Sequence, residues 1–83
     1  MTMKVYVVEC EARVTDSRMP STVNRIVRVV ALDVLSACQA AQKYFRTIHE
    51  GSGKTVEGFH IRTCAPYTTA DGGHINVDVV FNG

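Results

Sequence analysis

The chain has no tryptophan, only 7% aromatic residues, two prolines and almost no surplus of charge. Each shortage excludes something. Nine Lys/Arg against eight Asp/Glu leave a formal charge of +1, too little for a long-range field that gathers nucleic acid or an anionic membrane. No apolar run approaches the ~20 residues needed to span a bilayer. Residues 1–14 (MTMKVYVVECEARV) hold one lysine and a short apolar stretch broken by Glu9 and Glu11, so no secretory leader is expected. The three cysteines, Cys10, Cys38 and Cys64, are odd in number and far apart in sequence. They read as reduced, buried thiols in a cytoplasmic protein, not as a disulfide scaffold.

What is present is enough for one core. The hydrophobic fraction of 46% and charged fraction of 20% over 83 residues describe a single globular domain, residues 1–83, and argue against disorder. No repeat or low-complexity stretch divides it.

The segment RIVRVVALDVLSACQAAQKYFRTI, residues 25–48, carries most of the architecture. A β-branched run passes without a linker into an amphipathic helix, which must then fold back on the sheet its own strand joins. Asp33 is the expected N-cap. Val34, Cys38, Ala41, Phe45 and Ile48 form the expected core stripe, widened by Ala37 and Tyr44, and Gly51 is the expected stop.

Residues 3–14 alternate as a strand, with Tyr6, Val8, Cys10, Ala12 and Val14 on one face and Glu9, Glu11 and Arg13 on the other. Residues 15–21 (TDSRMPS) read as a turn. Residues 22–31 read as a second strand, antiparallel to the first. Val23, Val27, Val29 and Ala31 face the core, and Arg25 interrupts that face. A third strand is expected over 56–64, with Phe59, Ile61 and Thr63 opposite His60 and Arg62. After a loop over 65–73, a fourth is expected over 75–81. The expectation is α+β: a four-stranded antiparallel sheet with one helix on one face, in the order ββαββ.

The tempting motifs weaken on inspection. GSGKT at 51–55 resembles the end of a phosphate-binding loop, but Ile48 stands where its first glycine belongs. The motif also needs to open a helix, and this one follows a helix. No Cys-x-x-Cys or paired histidine spacing supports a metal, so no metal or cofactor is expected. Glu9, Glu11 and Asp78 fall on the predicted outer face, where solvated carboxylates are the default, and one helix on four strands leaves little volume for a pocket. The chain is therefore expected not to be an enzyme, with no catalytic residue assigned.

The uncovered sheet face is the expected functional surface. It should mix Glu9, Glu11, Arg13, Arg28, His60, Arg62 and Asp78 with Val5, Val7, Ile26 and Val80, a composition suited to a protein partner. Its arginines keep nucleic-acid binding open as an alternative. The aromatics that a sheet-borne RNA reader would expose (Tyr6, Phe59, Phe81) instead have core parity. Homodimer formation, through this face or a sheet edge, is the other alternative.

KVYVVE at 4–9, VRVVALDVLSACQAA at 27–41 and the strand around Phe59 resemble small phage-encoded inhibitors, in particular type I anti-CRISPR proteins. The resemblance covers about two-thirds of the chain, through packing positions. It implies a cofactor-free inhibitor that binds a host protein or ribonucleoprotein complex in the host cytoplasm and blocks it sterically. Some such inhibitors are strongly acidic DNA mimics, which this near-neutral chain is not. Contacts are then expected from loops and exposed arginines: Arg18 in the first turn, Arg28 and Arg62 on the sheet, Lys54 in the 51–55 loop, and Tyr67, Asp71 and His74 around an expected last hairpin.

Overall fold

A computed structural model of the protein describes residues 3–67 and 76–81. Its elements follow as β1 (Lys4–Asp16), β2 (Met19–Ala31), α1 (Val34–Glu50), β3 (Thr55–Pro66) and β4 (Val79–Val80). The order of elements is the expected one. The sheet is not purely antiparallel, however: its spatial order is β3-β1-β2-β4, and β4 runs parallel to β2. β3 and β4 thus run in the same direction at opposite edges. At opposite edges they do not pair with each other, so the expected last hairpin is overturned.

β1 and β2 form a long hairpin whose ladder runs from the Lys4–Ala31 pair to the Asp16–Met19 pair. The turn is shorter than the sequence suggests, only Ser17 and Arg18, both at positive φ (50° and 71°). A two-residue turn of this kind matches the right-handed twist of the strands it joins. Pro20 then lies inside β2, tolerated because that end of β2 has no outer neighbour to receive an N–H bond.

Period-two alternation puts Tyr6, Val8, Cys10, Ala12 and Val14 beneath the helix, all buried, facing Val27, Val29 and Ala31 of β2. The helix meets this layer with Ala37, Ala40, Ala41 and Phe45. Small residues at three of those positions let its axis come close to the sheet. Phe45, fully buried, fills the centre and meets Phe59 edge-on at 5.3 Å between ring centroids. A buried side chain of this size contributes about 2–3 kcal/mol.

Asp33 caps α1 as expected: its Oδ1 accepts from the Ser36 N–H at 2.8 Å, and this bond holds the carboxyl below its usual range. The stripe differs from expectation. Val34 is exposed, Cys38, Tyr44 and Ile48 are half-buried, and the buried column is 37, 41, 45 and 49. The true repeat is four residues from Ala37, so the helix buries His49 and turns Val34 away.

β3 carries the other departure. Its register with β1 shifts between Glu9 and Cys10 and again between Glu11 and Arg13. Glu9 faces Thr63 while Cys10 faces Ile61, so Arg62 is an extra residue. Glu11 faces His60 while Arg13 faces Glu57, and Gly58 in that interval has a φ of 60°. Each bulge reverses the alternation locally. Cys64 consequently turns toward the core opposite Val8, and Thr63 turns outward, against the expected pattern.

Candidate functional site

Among the described residues, one helix covers one face of the sheet and no element covers the other. The register orders that open face in rows. Val80, Val30 and Val5 form one row, then Arg28 and Val7, then Ile26, Glu9 and Thr63, then Asn24, Glu11 and His60, then Thr22, Arg13 and Glu57. The surface divides along the strands. Its β4 end is aliphatic, with Val80 47% exposed and Met3 and Leu32, which flank the Lys4–Ala31 pair, also exposed; Arg28 stands in the next row, and Ile26, 49% exposed, shares the middle row with Glu9. Its hairpin half is charged, of both signs.

The charged half is organised around Glu11. Glu11 Oε1 lies 3.1 Å from His60 Nε2 and Oε2 lies 3.5 Å from a terminal guanidinium nitrogen of Arg62. His60 is directly opposite Glu11, and Arg62, two residues further along β3, reaches it from the adjoining position. Glu11 keeps about a quarter of its side-chain surface, while His60 and Arg62 keep more than half. Exposed pairs of this kind add little stability; they fix the orientation of the groups a partner would meet.

The expected contact residues do not all converge. Arg28 lies on the open face, half-buried, and its backbone N–H donates to Asp78 Oδ2 at 2.8 Å. Asp78 therefore closes the β2 ladder beside β4 instead of standing free on the face. Arg62 lies in the same face, beside Glu11. Arg18 sits at the tip of the hairpin, and Lys54 in the loop after α1, half-buried. Tyr67 follows β3, exposed, its N–H donating to the Val5 carbonyl at 2.7 Å. Asp71 and His74 lie outside the described residues, as does the expected strand start at Ile75. Arg28 and Arg62 thus share a surface, with Tyr67 at its apolar end, and Arg18 and Lys54 lie apart.

The 51–55 segment is a connector. Gly51 ends the helix through a bond from its N–H to the Thr47 carbonyl at 3.0 Å, and Gly53 turns the chain at a φ of 82°. The helix end, not a helix start, adjoins Lys54, so no row of free N–H groups is offered to a phosphate.

Two features escaped the sequence reading. The first is an apolar groove of about 450 Å³ between α1 and β4, lined by Ala40, Lys43, Tyr44, Val79, Val80 and Phe81 among others. The second is a pair of unpartnered nitrogens under the helix end, Arg25 Nε and His49 Nε2. Arg25 breaks the core face of β2 opposite Cys10. Burial first, then the positive charges of Arg25 and Lys54, hold the His49 imidazole below the ordinary histidine pKa. The sequence signal for His49 was its place four residues after Phe45. Among the described residues, no group of three or more His, Cys, Asp or Glu side chains is arranged to hold a metal, and no helix is long and apolar enough to cross a membrane.

These features define an α+β protein with a mixed four-stranded sheet, one helix and one uncovered face. No family model, curated protein or solved structure matches the chain.

Proposed function

We propose that this is a non-enzymatic binding protein that docks on a protein partner through its open sheet face, acting as a steric inhibitor of a host defence complex in the manner of the anti-CRISPR proteins it resembles. The observation that carries the docking reading is the division of that face. An aliphatic end of Val5, Val30 and Val80 leads through Arg28 and Ile26 to an ordered charged half of Glu9, Glu11, His60 and Arg62. Apolar surface beside oriented charges of both signs suits a protein surface of complementary pattern, where burial supplies affinity and the charges supply register.

Nucleic acid fits this face less well. Glu9, Glu11 and Glu57 interleave with the arginines, and Arg62 is already engaged by Glu11. Tyr6 is buried and Phe59 and Phe81 pack on the core, which leaves Tyr67, at the edge of the face, as its one exposed aromatic among the described residues, less than the row of stacking aromatics a base platform uses.

Capture by tagged protein from bacterial lysate, with and without nuclease, tests the reading. A stoichiometric protein complex that survives nuclease and changes little in affinity as salt rises is expected. Recovery of nucleic acid alone, lost on nuclease treatment and steeply salt-dependent, would replace it with a nucleic-acid-binding module. A stable dimer by light scattering, with no captured partner, would replace it with self-association.

A further inference from the structure

The two long strands that flank β1 expose different edges. β3 is broken by two register shifts and by Gly58 at a φ of 60°, the kind of irregularity that keeps an edge strand from pairing with another chain. β2 is regular throughout its ladder with β1, and on its outer side β4 pairs only with Val29 and Val30. The backbone groups that β2 turns outward recur with the period of two. The Arg28 carbonyl accepts from the Asp78 N–H and the Val30 carbonyl from the Phe81 N–H, both at 2.8 Å. Ile26, Asn24 and Thr22 therefore turn their N–H and C=O groups to that same side. Among the described residues no strand or backbone hydrogen bond reaches those groups, and all of these residues are exposed.

This free stretch is closed at both ends. Pro20 has no N–H to give. Arg28 has its carbonyl taken by the Asp78 N–H and its own N–H taken by Asp78 Oδ2, each at 2.8 Å. Pro20 and Arg28 lie equally far from Asn24, so the stretch is symmetric about that residue.

We infer that the outer edge of β2 pairs with the same edge of a second copy of this chain, antiparallel, about a two-fold axis at Asn24. A two-fold contact must be self-complementary, and this register meets that demand group by group. Asn24 faces its own copy and Thr22 faces the partner's Ile26, so every free outward N–H meets a carbonyl. Pro20, which has no donor, falls opposite Arg28, whose acceptor is already occupied. Arg25 meets Val23, so no like charges stand directly opposite each other. Moving the axis toward either end sets Pro20 or Arg28 against a free residue and leaves groups unmatched. The axis stands perpendicular to the sheet, so both helices lie on one side and the two open faces join on the other. The inference stands apart from the docking reading, since the pairing leaves the open face uncovered. A ladder confined to residues 22–26 is a small interface, so association should rise with concentration.

Sedimentation of the full chain from about 50 μM to about 1 mM at neutral pH tests the pairing, with amide exchange followed by NMR over the same range. A monomer–dimer equilibrium is expected, with exchange slowed at high concentration for the Thr22, Asn24 and Ile26 amides and unchanged along the β3 edge. Asn24→Asp and Asn24→Lys each set like charges across the axis and should each weaken the dimer by about tenfold or more. The side chain is exposed, so both variants should fold, and their melting temperatures check this. Mixing the two should restore association, because opposite charges then meet. A chain that stays monomeric to the top of the range, protection along β3 instead, variants that dimerise as the parent does, or a mixture no stronger than either variant alone would each overturn the pairing.

Discussion

His49 lies at the last turn of α1, 8% exposed, with its ring 4.5 Å from Phe45 and its Nε2 unpartnered. The groups that face it are Arg25 from β2 and Lys54 from the connector, both cationic. Burial and these two charges all favour the neutral imidazole, so its pKa in the fold is below the unfolded value of 6.5. Between those two values the unfolded chain binds more protons than the native one, and stability rises with pH there. His49 therefore costs nothing above about pH 6.5 and destabilises progressively as pH falls below it. Asp33 acts in a separate, lower window. Its carboxyl is depressed by the Ser36 bond, so that contribution is present above about pH 4 and lost as pH falls through the folded value. Urea unfolding at pH 7 and pH 5 should thus show a loss at the lower pH, and His49→Leu should remove most of it while leaving the acid limb below pH 4. An unchanged pH slope in His49→Leu would show that the buried imidazole is not its source. Arg25 was visible in the sequence as a break in alternation. His49 was not, because a stripe drawn through Val34 and Ile48 runs one column away from the one the helix buries.

The hairpin was legible element by element, because period-two alternation in β1 and most of β2 has only one reading when one face must be buried. β3 was legible as a strand and illegible as a pattern. Val56 and Phe59 both pack inward although an odd spacing separates them, and only an inserted residue reconciles that. Gly58, at a φ of 60°, supplies it. A Cβ built there meets nothing within 4 Å, so its requirement is backbone conformation alone. Gly58→Val should cost about 1–2 kcal/mol or more by denaturant unfolding, and Gly58→Asn distinctly less, since asparagine tolerates the left-handed region. Equal stability of all three would mean that the bulge is not held at that residue. The fourth strand was read too long and in the wrong sense: residues 75–81 alternate as a half-buried strand would, but β4 is only Val79–Val80 and runs parallel to β2, a pairing of distant segments that local sequence does not encode.

At the scale of the molecule, the decisive property is asymmetry: one helix covers one side of a sheet whose strands are 13 residues long in β1 and β2. The identity of the open face was readable from the sequence, since Glu9, Glu11, Arg28, His60 and Ile26 fall on it as parity requires. Its division into an aliphatic and a charged end was not, because it depends on the register of the strands across the sheet. That division yields a prediction with internal controls. If the open face binds, Ile26→Asp removes exposed apolar surface at its centre, and Arg28→Glu with Arg62→Glu reverses charge in both halves. Each should weaken binding to the captured partner by about tenfold or more, equivalent to about 1.4 kcal/mol. Thermal stability should change little, because Ile26 is half exposed and the Glu11 pairs are solvent-screened. Arg18→Ala at the hairpin tip and Lys54→Ala in the connector, both remote from the face, should leave affinity unchanged. The measurement is titration calorimetry of the four proteins beside their melting temperatures. Should the Arg18 and Lys54 variants lose affinity while the face variants keep it, the partner docks on the loops and the rigid sheet serves only to present them.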